Sequence, residues 1–330
     1  MNFPKFQLIL AVAFILPLGA QGWAAGCGIG LDNSTRQIFR FQSLVHKVHL
    51  MIGVGPQGQP IPQPLVVPNW KLSRAPYNAV LKVRSFDAAR QGIISCTSAI
   101  VGDPHILVTS RHCAYQDYGQ GAFVPNLFGL FGIAGRQHSK WHMKVTESEV
   151  CEKTSGFRGR SDPAHDFVVF YLTRPFPERI QPFKIVRRPD VHCSSGMNEL
   201  AFMPELDKRN LLYQVHGCHR YKKLELNWKD QFPFGVPIVS DCDITMGSSG
   251  APLYCDEPSA SGRSLDHVFY GMASSEQGYR HHTHFAVGFG GARNVATLAV
   301  PPSAIINAVL ACMRKHHIPL PPRQNFEVRL

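Results

Sequence analysis

Gly247-Ser248-Ser249-Gly250-Ala251-Pro252-Leu253 is the stretch on which the reading of this chain turns. A serine with glycines two before and one after it sits on a backbone that can bend tightly and be approached closely. The amide N–H groups of Gly247 and Ser249 can then point at one spot, as an oxyanion requires. Taken alone, such a string is equally a Gly/Ser turn. Two further stretches give it a context. Thr109-Ser110-Arg111-His112-Cys113 follows the apolar run Ile106-Leu107-Val108-Thr109, with Cys96 shortly upstream. Asp166 stands in Asp162-Pro163-Ala164-His165-Asp166-Phe167-Val168-Val169, at the mouth of another apolar run. The order is His, Asp, Ser: a base to take the serine proton, a carboxylate to fix the imidazole, and a nucleophile. His105, His165 and Asp162 read as ordinary loop residues beside them.

Around these motifs the chain is written in short β-branched and aromatic runs bounded by Gly, Pro and Asp. Val80 to Val83, Ile106 to Thr109, Phe167 to Leu172 and Val268 to Met272 are the clearest. Many short strands with turn residues between them predict an all-β barrel or sandwich. Only the end predicts a helix: Pro301-Pro302-Ser303 starts it, and Ile305, Ile306, Val309, Leu310 and Met313 recur at helical spacing. Arg314 and Lys315 favour its C-terminal end, and Pro319, Pro321 and Pro322 stop it. Gly53 to Pro68 carries three Gly and five Pro without periodicity and reads as a linker or extended arm.

The chain has 330 residues, 44% of them hydrophobic and 17% charged, which excludes a disordered chain or a coiled coil. The net charge is +11. Its basic residues are scattered and no nucleic-acid-binding spacing appears, so no nucleic-acid partner is expected. Lys5, the apolar run Leu8 to Leu18 and the small residues up to Ala25 read as a secretory signal peptide over 1–25. Cleavage after Gly22 or Ala25 fits, while Ala24-Ala25-Gly26-Cys27 resembles a bacterial lipobox that would anchor the chain through Cys27. The expected location is secreted or periplasmic. Nine cysteines suit such a compartment, and their odd number leaves one free, lipidated or joined to another chain. His281, His282 and His284 form a metal-like cluster, but no acidic or cysteine ligand is near in sequence, and His316-His317 is a weaker candidate still, so no metal is expected.

Together the three motifs resemble the trypsin-like, chymotrypsin-fold serine endopeptidases, in the Gly-x-Ser-Gly-x-Pro form common in bacterial members. The resemblance covers roughly Pro76 to His316. It implies two six-stranded antiparallel β-barrels packed together, followed by the C-terminal helix. It also implies His112 as general base, Asp166 as its partner, Ser249 as nucleophile, and Gly247 with Ser249 as oxyanion donors. The organisation expected is a signal peptide at 1–25, an extension or propeptide at 26–75, the protease domain at 76–318 and a tail at 319–330. The protein would act on polypeptides, alone and without a cofactor. A binding module that keeps the fold without activity is the rival reading.

Disulfides follow in part from the same resemblance: Cys96 with Cys113, Cys218 with Cys242, and Cys193 with Cys255. Cys151 would pair with Cys312 if Cys27 is lipidated or free, which the sequence leaves open. Asp243, six before Ser249, would lie at the base of the specificity pocket, where a carboxylate favours Lys or Arg. Relatives that cut after Glu also carry Asp there, but with a His on the facing strand. Ala273 holds that place here, so Arg or Lys is favoured. Ser274 would stand beside Asp166. Two departures stand out. Arg111 replaces a small residue before the His and must point away from the cleft or narrow it. Ser248 replaces the Asp that in animal trypsins pairs with a newly cut N-terminus, so that ion pair is excluded.

Overall fold

The computed structural model describes residues 62, 64–87, 92–124, 127–132, 144–159, 162–176, 180–186, 193, 196–203, 211–220, 237–242, 247–259, 261, 262, 264–277 and 296–321. The expected signal peptide, Cys27, Asp243 and the His281–His284 cluster lie outside them, as do most of 26–75 and the last nine residues.

The first strand, β1 (Leu65–Val66), lies in the segment that reads as a linker. Two apolar residues suffice for it, because the ladder is made by backbone groups and needs no side-chain period. The chain then builds one sheet from β2 (Val80–Asp87), β3 (Gly92–Ile100) and β4 (Ile106–Thr109). A one-turn helix, α1 (Arg111–Ala114), follows, and then β5 (Leu127–Gly132), β6 (Val150–Lys153) and β7 (Val168–Tyr171). Its order is β5-β2-β3-β4-β7-β6. A second sheet follows from β8 (Met197–Phe202), β9 (Leu212–Cys218), β10 (Ile238–Ser240), β11 (Pro252–Pro258), β12 (Leu265–Gln277) and β13 (Ala296–Val300). Its order is β1-β9-β8-β11-β12-β13-β10, so β1 is added to six strands from the rest of the chain. Beyond β9, Arg220 bridges to Ser240 of β10, which brings the first and last of those six strands together. Among the described residues every pair of these strands is antiparallel, and the six strands of each half follow one another in the same cyclic order. The result is the expected two-barrel, all-β architecture.

The apolar runs become the cores. All four residues of β4 are buried, as are Val168, Val169 and Phe170 of β7. Helix α2 (Pro302–Lys315) starts at the expected Pro and packs Ile305, Ile306, Val309, Leu310 and Met313 into a core cluster that draws residues from both sheets. Residues 180–186 join the halves like a strip. Gly102 N–H donates to Phe183 O and Lys184 N–H to His267 O, while the Phe183 ring meets Tyr254 and Phe269. Four disulfides join Cys96 to Cys113, Cys151 to Cys312, Cys193 to Cys255 and Cys218 to Cys242. Cys151–Cys312 ties β6 to α2. Among the described residues no helix is long and apolar enough to cross a membrane.

Candidate active site

The pairing register brings His112 and Asp166 together. In the β4–β7 ladder Thr109 lies opposite Val168, so residues just after β4 and just before β7 share one end of the sheet. There α1 presents His112, and Asp166 follows a turn at Pro163–His165. Asp166 Oδ2 lies 2.6 Å from His112 Nδ1, and Asp166 Oδ1 accepts the His112 backbone N–H at 3.0 Å. That N–H belongs to the first turn of a helix, where no helical partner exists. A carboxylate only accepts, so Nδ1 carries the hydrogen, and in the neutral imidazole that leaves the lone pair on Nε2. Asp166 is 2% exposed. Burial alone would raise its pKa. The His112 charge and hydrogen bonds from His112 and Ser274 outweigh that, and hold the carboxyl below the usual carboxylate value.

Ser249 arrives from the second barrel. In the β11–β12 ladder Pro252 lies opposite Met272, which lays the loop before β11 alongside Ala273 and Ser274. Gly250 N–H donates to Ala273 O at 2.7 Å, and Ala273 N–H to Ala251 O at 2.8 Å. Ser274 then links the candidates: its hydroxyl donates to Asp166 Oδ2 at 2.7 Å, and its carbonyl accepts the Ser249 hydroxyl at 3.2 Å. Ala273 is fully buried, and its carbonyl also accepts the Ser110 hydroxyl at 3.0 Å. Gly247 has φ +102°, a conformation that favours glycine.

Arg111 turns from the cleft. Its Nε donates to Gly119 O at 2.7 Å and another guanidinium nitrogen to Thr154 O, while the group stacks over Tyr115 and Phe157. It braces the turn that carries His112. The other loop candidates are held locally: His105 Nδ1 by Asp103 at 2.9 Å and His165 Nδ1 by Asp162 at 2.7 Å. Asp241, two residues before Asp243, is 1% exposed. It accepts the His219 N–H at 2.6 Å, and burial pushes its pKa up.

Two contributors were not singled out as site residues in the sequence. Thr97 of β3 donates its backbone N–H to Ser249 O at 2.8 Å and its hydroxyl to Gly247 O at 2.8 Å. Ser110 ties the end of β4 to Ala273. Thr97 is 150 residues from Gly247, so only its position directly after Cys96 could have singled it out.

No family model matches the chain, and no curated protein matches it. Among solved structures it is similar to the protease Anisep from Arthrobacter nicotinovorans, at 14% identity and TM-score 0.50, over 71% of this chain and 95% of that one. A thermostable serine protease, AL20, from an extremophilic microorganism matches at 17% identity and TM-score 0.47, over 70% and 94%. A scabies mite inactivated protease paralogue, S-I1, matches at 13% identity and TM-score 0.48, over 72% and 96%. With its two antiparallel sheets and terminal helix, the chain has the two-barrel fold of a chymotrypsin-like serine protease.

Proposed function

We propose that the protein is an exported serine endopeptidase that cuts polypeptides through an acyl-enzyme on Ser249. The observation that carries this reading is the connected set Asp166–His112 and Asp166–Ser274–Ser249, assembled from both barrels. In the free protein the Ser249 hydroxyl rests on Ser274 O; substrate binding has to turn it toward His112 Nε2. Oγ then attacks the scissile carbonyl, its proton passes to Nε2, and Asp166 holds the imidazolium through Nδ1–H. The N–H groups of Gly247 and Ser249 receive the oxyanion. The leaving amine takes the proton from Nε2, and water repeats the sequence to release the acyl group. No cofactor enters this scheme. Asp243 supplies the negative charge that favours Arg or Lys at the cleavage site, and Ala273 stands where relatives that cut after Glu carry a His.

A fluorophosphonate tests the chemistry directly, since Oγ displaces fluoride from phosphorus with the same proton transfer to His112. Labelling at Ser249 is expected, and its loss in Ser249→Ala and His112→Ala. Folded, oxidised protein that stays unlabelled would make the chain a binding module instead. Cleavage of a peptide library should show Arg or Lys before the cut, weakened in Asp243→Ser with labelling intact. A main preference for Glu or a large apolar residue refutes the specificity.

A further inference from the structure

Among the described residues four large hydrophobic side chains stand exposed: Leu65 (62%), Val66 (47%), Trp70 (61%) and Leu265 (56%). Three of the four fall within six residues of the N-terminal arm. Single exposed apolar side chains are ordinary; three in one short run are not. The run is also held rigidly. Leu65 and Val66 pair with Gln214 and Tyr213 of β9, and Asn69–Lys71 form a 3₁₀ turn. Val67 and Leu72, interleaved with the exposed residues, are buried in the core. The exposed side chains therefore stand on a fixed backbone, and little ordering remains to be done on binding.

Two cations lie over the Trp70 ring. Lys71 Nζ is 5.4 Å from its centroid and Arg74 Cζ also 5.4 Å. Along the chain the basic residues are scattered, but the acidic ones are missing from one long stretch. Residues 33–86 hold seven Lys or Arg and no Asp or Glu, against a net charge of +11 for the whole chain. One carboxylate does act nearby: the charges of Asp256 and Lys71 both reach His216. Asp256 is already bonded to the His267 ring at 2.7 Å and to the Asn198 amide at 2.9 Å.

A partner for this surface has to be anionic and has to accept apolar side chains. A soluble polyanion meets the first need and leaves the aliphatic side chains in water. The headgroup layer of an anionic bilayer meets both. It takes Trp at the boundary, an aliphatic side chain beneath it, and Lys or Arg among the phosphates. Adjacent strand residues point to opposite sides, so Leu65 and Val66 cannot both enter one surface. We propose that Trp70, with Lys71, Arg74 and one of Leu65 and Val66, forms a docking surface for anionic phospholipid membranes. The membrane is touched, not crossed, and nothing in the contact depends on the Ser249 chemistry.

The secreted chain carrying Cys27→Ser, which leaves no thiol there for a lipid, can be floated with two kinds of vesicle. One is phosphatidylcholine alone; the other is equal parts phosphatidylcholine and phosphatidylglycerol. Binding is expected to the mixed vesicles and to be at least roughly tenfold weaker to the neutral ones. High salt should weaken it further. Each Lys or Arg beside an anionic surface is worth roughly fivefold in partitioning, so Lys71→Gln with Arg74→Gln should weaken binding about 25-fold. Trp70→Ala should weaken it at least roughly fivefold, through the apolar area lost. Of Leu65→Ser and Val66→Ser, one should weaken binding and the other leave it unchanged. The unfolding midpoints should match the wild type; if Trp70→Ala lowers its own, Trp70→Gln takes its place. Wild-type binding by the Trp70 variant or by the Lys71, Arg74 variant would place the contact elsewhere and overturn the proposal. So would a chain that binds dextran sulfate in solution but neither vesicle, which would assign the surface to a polyanion, or a chain that binds none of these.

Discussion

Gly250 shows how one atom can set the relation between the barrels. It has φ +86°, and a Cβ on it would overlap Thr97 O and Thr109 Oγ1 and lie 3.0 Å from Ser110 N. All three neighbours are groups of the first barrel. The glycine after Ser249 is therefore required by close approach as well as by the turn. Gly250→Ala combines left-handed strain, about 1–2 kcal/mol, with overpacking of about 1–3 kcal/mol. We expect a loss of roughly 3 kcal/mol in chemical denaturation and little Ser249 labelling. An Ala variant of wild-type stability would mean the two barrels can part at this point without cost.

At the scale of elements, β1 lengthens the part of the chain that the fold needs. Leu65 and Val66 pair with Gln214 and Tyr213, Val67 N–H donates to Leu212 O, and Val67 and Leu72 are buried in the core. Tyr77 adds a hydrogen bond to Gln214 at 3.0 Å. The active protein should therefore keep this arm. N-terminal sequencing of purified, labelling-competent protein is expected to start upstream of Leu65, and a start near Pro76 would contradict it. Leu72→Ala should cost about 2–5 kcal/mol, as for a core leucine. The pairing and burial of the arm were hidden in the sequence because Pro and Gly dominate around it and backbone pairing leaves no periodic trace. Runs such as β4 and the 3.6-residue spacing of α2 were legible because each is buried along its own length. So were the candidates His112 and Asp166, each beside the end of such a run, and Ser249 through the glycines around it. The span of β12 was less so: it runs 13 residues, with register shifts between Leu253 and Tyr254 of one neighbour's ladder and around Ser274 in the other's, and its length follows from partners distant in the chain. Thr97 was illegible for the same reason, since its role exists only once the barrels meet.

Across the whole molecule, acid acts on the two barrels in opposite senses. In the first, Asp166 and Glu149 have lowered pKa values. For both, burial would raise the pKa. For Asp166 the His112 charge with the His112 and Ser274 hydrogen bonds outweighs it, and for Glu149 the hydrogen bonds from Thr173 and Thr146 do. A carboxyl whose folded pKa lies below its unfolded one stabilises the fold above the unfolded value, about 4. That stability is lost as pH falls through the folded value. In the second barrel Asp241 and Glu257 are pushed up by burial, with the Asp256 charge adding at Glu257. Their ionised forms penalise the fold, and protonation relieves it. Acid also protonates histidines, 16 in a chain already at +11, and that self-repulsion is general and screened by salt. Hydrogen exchange between pH 6 and 3, corrected for intrinsic rates and run in high salt, should therefore show β4 and β7 losing protection before β11 and β12. Asp166→Asn should flatten the first barrel's dependence, because it removes the proton that the wild type must take up. Uniform loss of protection, or earlier loss in β11 and β12, would show that these buried carboxylates do not set the acid response.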